Sequence, residues 1–414
     1  MEYMPLEDVE RFEGYRPGGY HPTGIGDLLH DGRYRIVHKL GFGGYSIIWL
    51  ARDLKINRYV AIKIMIANGN SQDCNILRHL GDLKNNDSAK SLISSMSDEF
   101  VVAGPNGEHR CVVTAPASMS LSDAKDASYS RLFQLSTARV IAAQLVQAIA
   151  FLHSRGIVHA DIHPGNILLP LSRDINILSL EELYLQYGRP NLEPIKRLDN
   201  SPLAAGVPTH AVVPMWLGKN GQHISPTEAS GILLTDFGES FQPSVTIRHH
   251  SNTTIIFSPP EVRFMAQVPL SFPSDIWSLA CTIYSILGTG PPFEGFPPSG
   301  DYVTKEHVDT LCKLPPKWWE KWEARSKWFD EHGKIKDTES ERPWEKRFSS
   351  DVEEPRRECS MEKIGDAEKA ALFNMLKEML AFRPNERLTS AEALNSKWMQ
   401  EWALPELEMA RKIR

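Results

Sequence analysis

Three side chains, Asp161, Asn166 and Asp236, stand in two short runs suited to moving a phosphoryl group. The first run is His159-Ala160-Asp161-Ile162-His163-Pro164-Gly165-Asn166-Ile167-Leu168 and the second is Leu233-Leu234-Thr235-Asp236-Phe237-Gly238. Such a transfer needs a carboxylate that orients a hydroxyl and accepts its proton, which Asp161 can be. It also needs oxygen ligands for a hard cation such as Mg²⁺, which Asn166 and Asp236 can be. Upstream, Gly41-Phe42-Gly43-Gly44-Tyr45-Ser46 lies between two strand-like segments, and glycines in a hairpin let backbone N–H groups approach phosphate oxygens closely. A glycine hairpin is by itself only a turn, and its strand-to-strand setting excludes the dinucleotide-binding and Walker arrangements, in which a helix follows. Val60-Ala61-Ile62-Lys63 then puts one lysine on an apolar strand, where a buried ammonium is costly unless it meets a phosphate or a carboxylate. Asp73, on the next helix, is a carboxylate that the lysine could pair with.

These residues need a scaffold, and hydrophobic periodicity supplies one. Short β-rich runs over 35–40, 46–51 and 59–64, separated by Gly-rich or charged turns, read as an antiparallel meander, with further strands over 99–102 and 110–114 joined by a Gly104-Pro105-Asn106-Gly107 turn. Cys74, Leu77 and Leu80 give helix spacing over 71–80. Residues 1–32 are polar and rich in Gly and Pro, and read as an arm of turns. Beyond Ser120 the pattern is helical: Val140, Ala143, Val146, Ile149 and Leu152 share one face of a segment starting near Ser136. Residues 170–230 form a Pro-interrupted insert with a short helix over 180–186, and 297–360 an irregular Trp-rich insert. Residues 368–402 read as two helices around Pro384, and 403–414 as a tail.

Composition narrows the class. The chain has 414 residues, 46 basic against 52 acidic for a formal charge of −6, and 42% apolar residues, which is globular composition without the positive excess of a protein that holds nucleic acid by bulk charge. Its five cysteines lack CxxC spacing and fit reduced intracellular thiols rather than a disulfide framework or zinc site. No run approaches the ~18 apolar residues of a membrane span, and residues 1–14 lack a basic stretch followed by an apolar one, so neither membrane insertion nor secretion is expected.

In motif order the chain resembles the eukaryotic-type protein kinases from about residue 34 to 398. Ser258-Pro259-Pro260-Glu261, Ser274-Asp275-Ile276-Trp277-Ser278 and Arg383-Pro384-Asn385-Glu386-Arg387 extend the match. Within that family it is similar to the SR-protein kinases, particularly their fungal relatives. The carriers are Gly18-Gly19-Tyr20-His21-Pro22, Ile25-Gly26-Asp27, Ser46 in the third glycine position, the 104–107 turn, the insert between Asn166 and Asp236, Pro315-Pro316-Lys317-Trp318-Trp319 and Met379-Leu380-Ala381-Phe382-Arg383-Pro384.

The resemblance implies an α+β, bilobal kinase fold. A small antiparallel β-rich N-lobe would cover 33–117 and a larger, mainly helical C-lobe 118–402, with ATP and Mg²⁺ in the cleft. It implies that Glu261 pairs with Arg387 and that Asp275 holds the backbone of the catalytic loop. Catalysis would fall to Asp161, His163 and Thr254, and metal binding to Asn166 and Asp236. Nucleotide binding would fall to Leu40, Gly41, Phe42, Gly43, Gly44, Tyr45, Ser46, Ile48, Ala61, Lys63, Asp73, Thr114, Ala115 and Ala117. The implied substrates are Ser or Thr residues of proteins, above all Arg-Ser-rich splicing proteins. Neither direct nucleic-acid binding nor membrane binding is implied, and a monomer in cytoplasm and nucleus is expected.

Four positions depart from the family pattern or bear on it. Ala160 replaces the arginine that would bind a phosphorylated activation segment, so activity without that phosphate is expected. His163 replaces a lysine that meets the γ-phosphate, and because imidazole is only partly charged at neutral pH the rate is expected to be weaker or to fall as pH rises. Asp73 stands where Glu is usual, one methylene shorter. Pro116 lacks an N–H but falls where the hinge amide faces away from the nucleotide. Two rival classes share these residues: a catalytically dead pseudokinase acting as a scaffold, and a small-molecule kinase of the aminoglycoside or choline kinase type. Glu261, Asp275 and Arg387 speak against the second, and intact Lys63, Asp161, Asn166 and Asp236 against the first. The tryptophans between 318 and 344 read as packing and the charges among them as a mixed solvated face.

Overall fold

A computed structural model describes residues 2–67, 69, 72–82, 87–171, 173–294 and 299–413. The chain divides into two compact units, one of Met1–Lys84, Ser94–Met119 and Leu171–Gly218 and the other of Asn85–Ile93, Ser120–Pro170 and Lys219–Arg414.

The smaller unit is built on a six-stranded sheet: β1 (Leu28–Leu29), β2 (Tyr34–Gly43), β3 (Ser46–Asp53), β4 (Arg58–Met65), β5 (Met96–Gly104) and β6 (Gly107–Thr114), in the order β1-β2-β3-β4-β6-β5. Every neighbouring pair is antiparallel, as the short turns between the strands demand. The helix expected over 71–80 is α1 (Gln72–Asp82), whose Cys74, Ile76, Leu77 and Leu80 are buried; Ser71 lies outside the described residues.

Strand alternation decides what covers the sheet. Ile36, Trp49, Val60, Ile62 and Ile64 share a core with Tyr3, Phe12, Tyr15 and Tyr20 of the arm and with Ile195, Val207, Ala211 and Val212 of the insert. Val37, Leu50 and Tyr59, on the opposite face, pack with Ile175, Leu183, Met215 and Leu217. The arm is thus made of turns but is not merely polar, because its aromatic residues bury against the sheet. Most of the 170–230 insert likewise belongs with the sheet, although chain order had placed it in the C-lobe. The physical reason is its recurring apolar residues, which find the two sheet faces. Its helix, Leu180–Tyr187, is fixed by a capping box between Ser179 and Glu182.

In the larger unit, α2 (Leu121–Asp126) is capped reciprocally by Ser120 and Asp123, and α3 (Leu135–Ser154) is the longest helix described. α3 starts after Gln134 with no side-chain cap bond, so Ser136 is inside the helix rather than its cap. It is long and apolar enough to cross a membrane by length and composition alone, and its apolar residues are buried. The region 297–360 is more regular than its sequence suggested, with helices Gly300–Thr310, Pro316–Lys321, Trp344–Phe348 and Glu354–Glu358. Trp318, Trp319, Trp322 and Trp344 are buried there, Trp318 stacking on Phe264 at 5.6 Å and Trp322 donating from Nε1 to Asp301 at 2.9 Å. The chain ends in a helix, Leu404–Ile413, in place of the expected tail, because Leu407 and Ala410 bury one side of it. Arg139 of α3 ties this end down, donating to Glu368 at 2.9 and 2.6 Å and to Glu406 at 3.3 Å.

Candidate active site

The smaller unit holds the glycine hairpin, the strand lysine and the hinge segment. β2 and β3 close the hairpin with Gly43 opposite Ser46 and Gly41 opposite Ile48, and Ile48 in turn faces Lys63 on β4. A Cβ at Gly41, Gly43 or Gly44 would meet nothing within 4 Å, so packing does not require these glycines. They leave an open backbone surface of the kind a polyphosphate needs. Lys63 lies on the face of β4 opposite the buried Ile62 and Ile64, and its Nζ donates to Asp73 Oδ2 of α1 at 2.8 Å. The shorter carboxylate therefore reaches. Asp73 is almost wholly buried while the Lys63 side chain keeps 20% of its surface exposed, so the lysine is oriented by a fixed anion and can still meet another. Thr114 ends β6 opposite Ala61, and Ala115 to Ala117 continue from it outside the sheet, partly exposed. Leu40 is half-buried at the start of the hairpin against the Val37 and Leu50 cluster.

The larger unit holds the catalytic run and the second acidic run, brought together by a two-stranded ladder. β7 (Ile167–Leu168) pairs with Leu233–Leu234, placing Leu234 opposite Ile167. Asn166 and Asp236 then follow from register as neighbours, and Thr235 seals the junction by donating from N and from Oγ1 to the Asn166 carbonyl at 2.9 and 3.1 Å. Asn166 Nδ2 donates to Asp161 at Oδ2 and at the main-chain O, both at 3.0 Å, leaving its amide oxygen for other use. Asp236 sits in the left-handed region at φ 61°, a conformation an Asp tolerates, and accepts weakly from Gly238 N at 3.4 Å.

A buried acid holds the run in place. Asp275 Oδ2 accepts from His159 N at 2.7 Å and Oδ1 from Ala160 N at 2.8 Å, with His153 Nε2 at 3.0 Å. Ala160 is held at φ 65°, strain of about 1–3 kcal/mol that the Asp275 bonds maintain. Glu261 and Arg387 form the buried bidentate pair the family pattern implies, at 2.8 and 2.6 Å.

His163 shows a detail that spacing could not give. Its Nδ1 accepts from Gly165 N at 3.1 Å, so the ring proton resides on Nε2, 3.6 Å from Asp161 Oδ2. A Cβ at Gly165 would lie 2.8 Å from the His163 ring and would force it to shift. Thr254 is exposed, and no described hydrogen bond joins its hydroxyl to Asp161; the neighbouring hydroxyls of Thr253 and Ser251 reach the catalytic loop, donating to Ala160 O at 2.6 and 3.1 Å. The sequence reading also missed Lys39, fully buried and ion-paired to Glu10 of the arm. A lysine inside β2 was a signal similar to Lys63, but its acid lies 29 residues away, beyond any local rule.

The protein kinase domain model matches residues 34–179 and 223–399. A serine/threonine protein kinase of Aspergillus fumigatus is 25% identical over 405 residues, covering 95% of this chain and 90% of the relative. Protein kinase dsk1 of Schizosaccharomyces pombe is 35% identical over 171 residues, covering 40% of this chain and 31% of the relative. SRSF protein kinase 3 of Homo sapiens is 32% identical over 169 residues, covering 39% and 30%. Among solved structures, a kinase domain aligns with a TM-score of 0.61 over 92% of this chain and 98% of the other at 17% identity, which speaks to fold. The chain belongs to the protein kinase domain family, as an ATP-dependent serine/threonine protein kinase that uses a divalent metal.

Proposed function

We propose that the protein transfers the γ-phosphoryl group of ATP to serines of Arg-Ser-rich proteins, working as a monomer in cytoplasm and nucleus. The observation that carries the transfer chemistry is the Asp161, Asn166 and Asp236 constellation held by the Leu233–Leu234 ladder, together with the Lys63–Asp73 pair. The match to SRSF protein kinase 3 supports the substrate class. Asp161 orients the acceptor hydroxyl and takes its proton, Lys63 orients the nucleotide phosphates, and the backbone of the 41–46 hairpin covers them. The amide oxygen of Asn166 and the carboxylate of Asp236 are hard donors that suit Mg²⁺, which would neutralise phosphate charge when bound. Thr254 is the proposed hydroxyl on the acceptor side.

Activity without a phosphorylated activation segment is part of the proposal. Glu239 bridges the segment: its carboxylate accepts from Arg248 at 3.1 Å and from Asn252 at 2.8 Å. Ser251 and Thr253 tie the segment to Ala160 O. Purified enzyme treated with phosphatase and then offered an Arg-Ser repeat peptide beside a generic basic protein tests both parts. Unchanged turnover with preference for the Arg-Ser peptide is expected; loss of turnover on dephosphorylation, or preference for the basic protein, contradicts the corresponding part.

A further inference from the structure

We propose that the N-terminal arm positions the phosphate-covering hairpin, with Tyr20 as the residue that pins it. This inference rests on the nucleotide reading of that hairpin. Tyr20 is 8% exposed, and its Oη donates to the Gly43 carbonyl at 2.7 Å. That carbonyl sits at the turn of the hairpin, in the stretch whose backbone N–H groups would face phosphate, so the bond fixes the tilt of the peptide planes on either side.

The arm itself is anchored independently of the hairpin. Gly18 N donates to Asn106 O at 2.8 Å, Ala67 N donates to Gly19 O at 3.0 Å, and Asn106 Nδ2 donates to Tyr20 O at 2.7 Å. The close turn leaves no slack, since a Cβ on Gly14 would lie 2.3 Å from the Tyr20 ring. The root of the same strand is held by the arm too: Lys39, one residue before Leu40, is fully buried and paired to Glu10, which also accepts from Tyr15 Oη. Burial, and then the charge of Glu10, raise the Tyr20 hydroxyl above its ordinary range, which keeps it a donor at every working pH. One short arm therefore grips the hairpin strand at its base and at its turn, and neither grip uses a nucleotide-facing side chain.

Tyr20 is a positioning residue, so its loss should change nucleotide affinity rather than the chemical step. Full-length Tyr20→Phe keeps the ring and its edge contact with Tyr15, and is expected to melt with wild type. Its KM for ATP should rise about three- to tenfold, the fold-change of one net hydrogen bond, with kcat and the KM for peptide unchanged. Amide hydrogen exchange over 43–46 without nucleotide should speed up by a similar factor. Removing the root grip by Glu10→Gln should raise the KM for ATP as well, but with a lowered melting temperature. If wild type binds ATP and Tyr20→Phe matches it in both KM and exchange, the proposal is overturned and the nucleotide reading stands. If wild type binds no ATP analogue at all, both fall together. A drop in kcat at unchanged KM in Tyr20→Phe also overturns it, because that places the hydroxyl in the chemical step.

Discussion

At the residue scale the site contains one base with a fixed neighbour on each side. Asp161 is hydrogen-bonded by Asn166 and faced by Nε2 of His163, whose other nitrogen is committed to Gly165. Asp161→Ala should therefore lower kcat about 10²–10⁴-fold with little change in melting temperature, which turnover and thermal unfolding measured together would show. The His163 tautomer makes a sharper prediction. With Nδ1 accepting from Gly165, the neutral ring presents its proton on Nε2 as a donor. His163→Gln, whose amide nitrogen reaches where Nε2 stands, should keep most activity, whereas His163→Asn, which mimics Nδ1, should lose about 10²-fold. Equal losses in the two variants would sink the tautomer argument. Residue types and spacing made Lys63, Asp161, Asn166 and Asp236 legible in the sequence. The His163–Gly165 bond was not, because a ring's tautomer is set by geometry that spacing does not encode.

At the element scale the strands carrying the site were legible from short β-rich runs set between Gly-rich or charged turns, and β2, β3, β4 and β6 lie within a few residues of the expected bounds. The packing of the arm and the place of the insert were not legible for a common reason. Each is rich in Gly, Pro and polar residues, and their apolar residues are too irregularly spaced to signal a partner, although they fill both faces of the sheet. Ile195→Asp would place a charge in that shared core and should lower the stability of the smaller unit by several kcal/mol, seen as a separate early transition in calorimetry. In the larger unit, Arg387→Ala leaves Glu261 buried without its partner, for a loss of about 3–5 kcal/mol. Replacing both by apolar residues of similar size should recover much of that loss, and failure to recover would mean the pair acts through more than charge.

At the scale of the whole molecule, stability should depend on acid through buried imidazoles. His307 is wedged against Trp277 and Phe293 with both ring nitrogens unpartnered among the described residues, and burial, then the charges of Arg347, Arg387 and Arg263, push it down to about 3. His21 is pushed down to about 4 by burial and by His109. Both rings stay neutral in the fold, while in the unfolded chain they take up protons below about pH 6.5. Over that window the unfolded state binds more protons, so stability falls as pH falls. His307 alone accounts for about 2 kcal/mol at pH 5. Denaturant unfolding at pH 7 and pH 5 should show this slope, and His307→Leu should flatten it; an unchanged slope would mean the ring is not the group that titrates. The motif order had already indicated the protein kinase family, while the spatial division of the chain had to come from the structure.

The proposed reaction is phosphoryl transfer by this constellation. Its most direct test is transfer of label from γ-labelled ATP with Mg²⁺ to an Arg-Ser repeat peptide, by wild type and by Asp161→Ala, with nucleotide binding measured on both. Label that appears with wild type and vanishes in the variant, while both bind ATP, is the predicted result. ATP binding by wild type with no label transferred to any protein or peptide would contradict it and leave a nucleotide-binding scaffold.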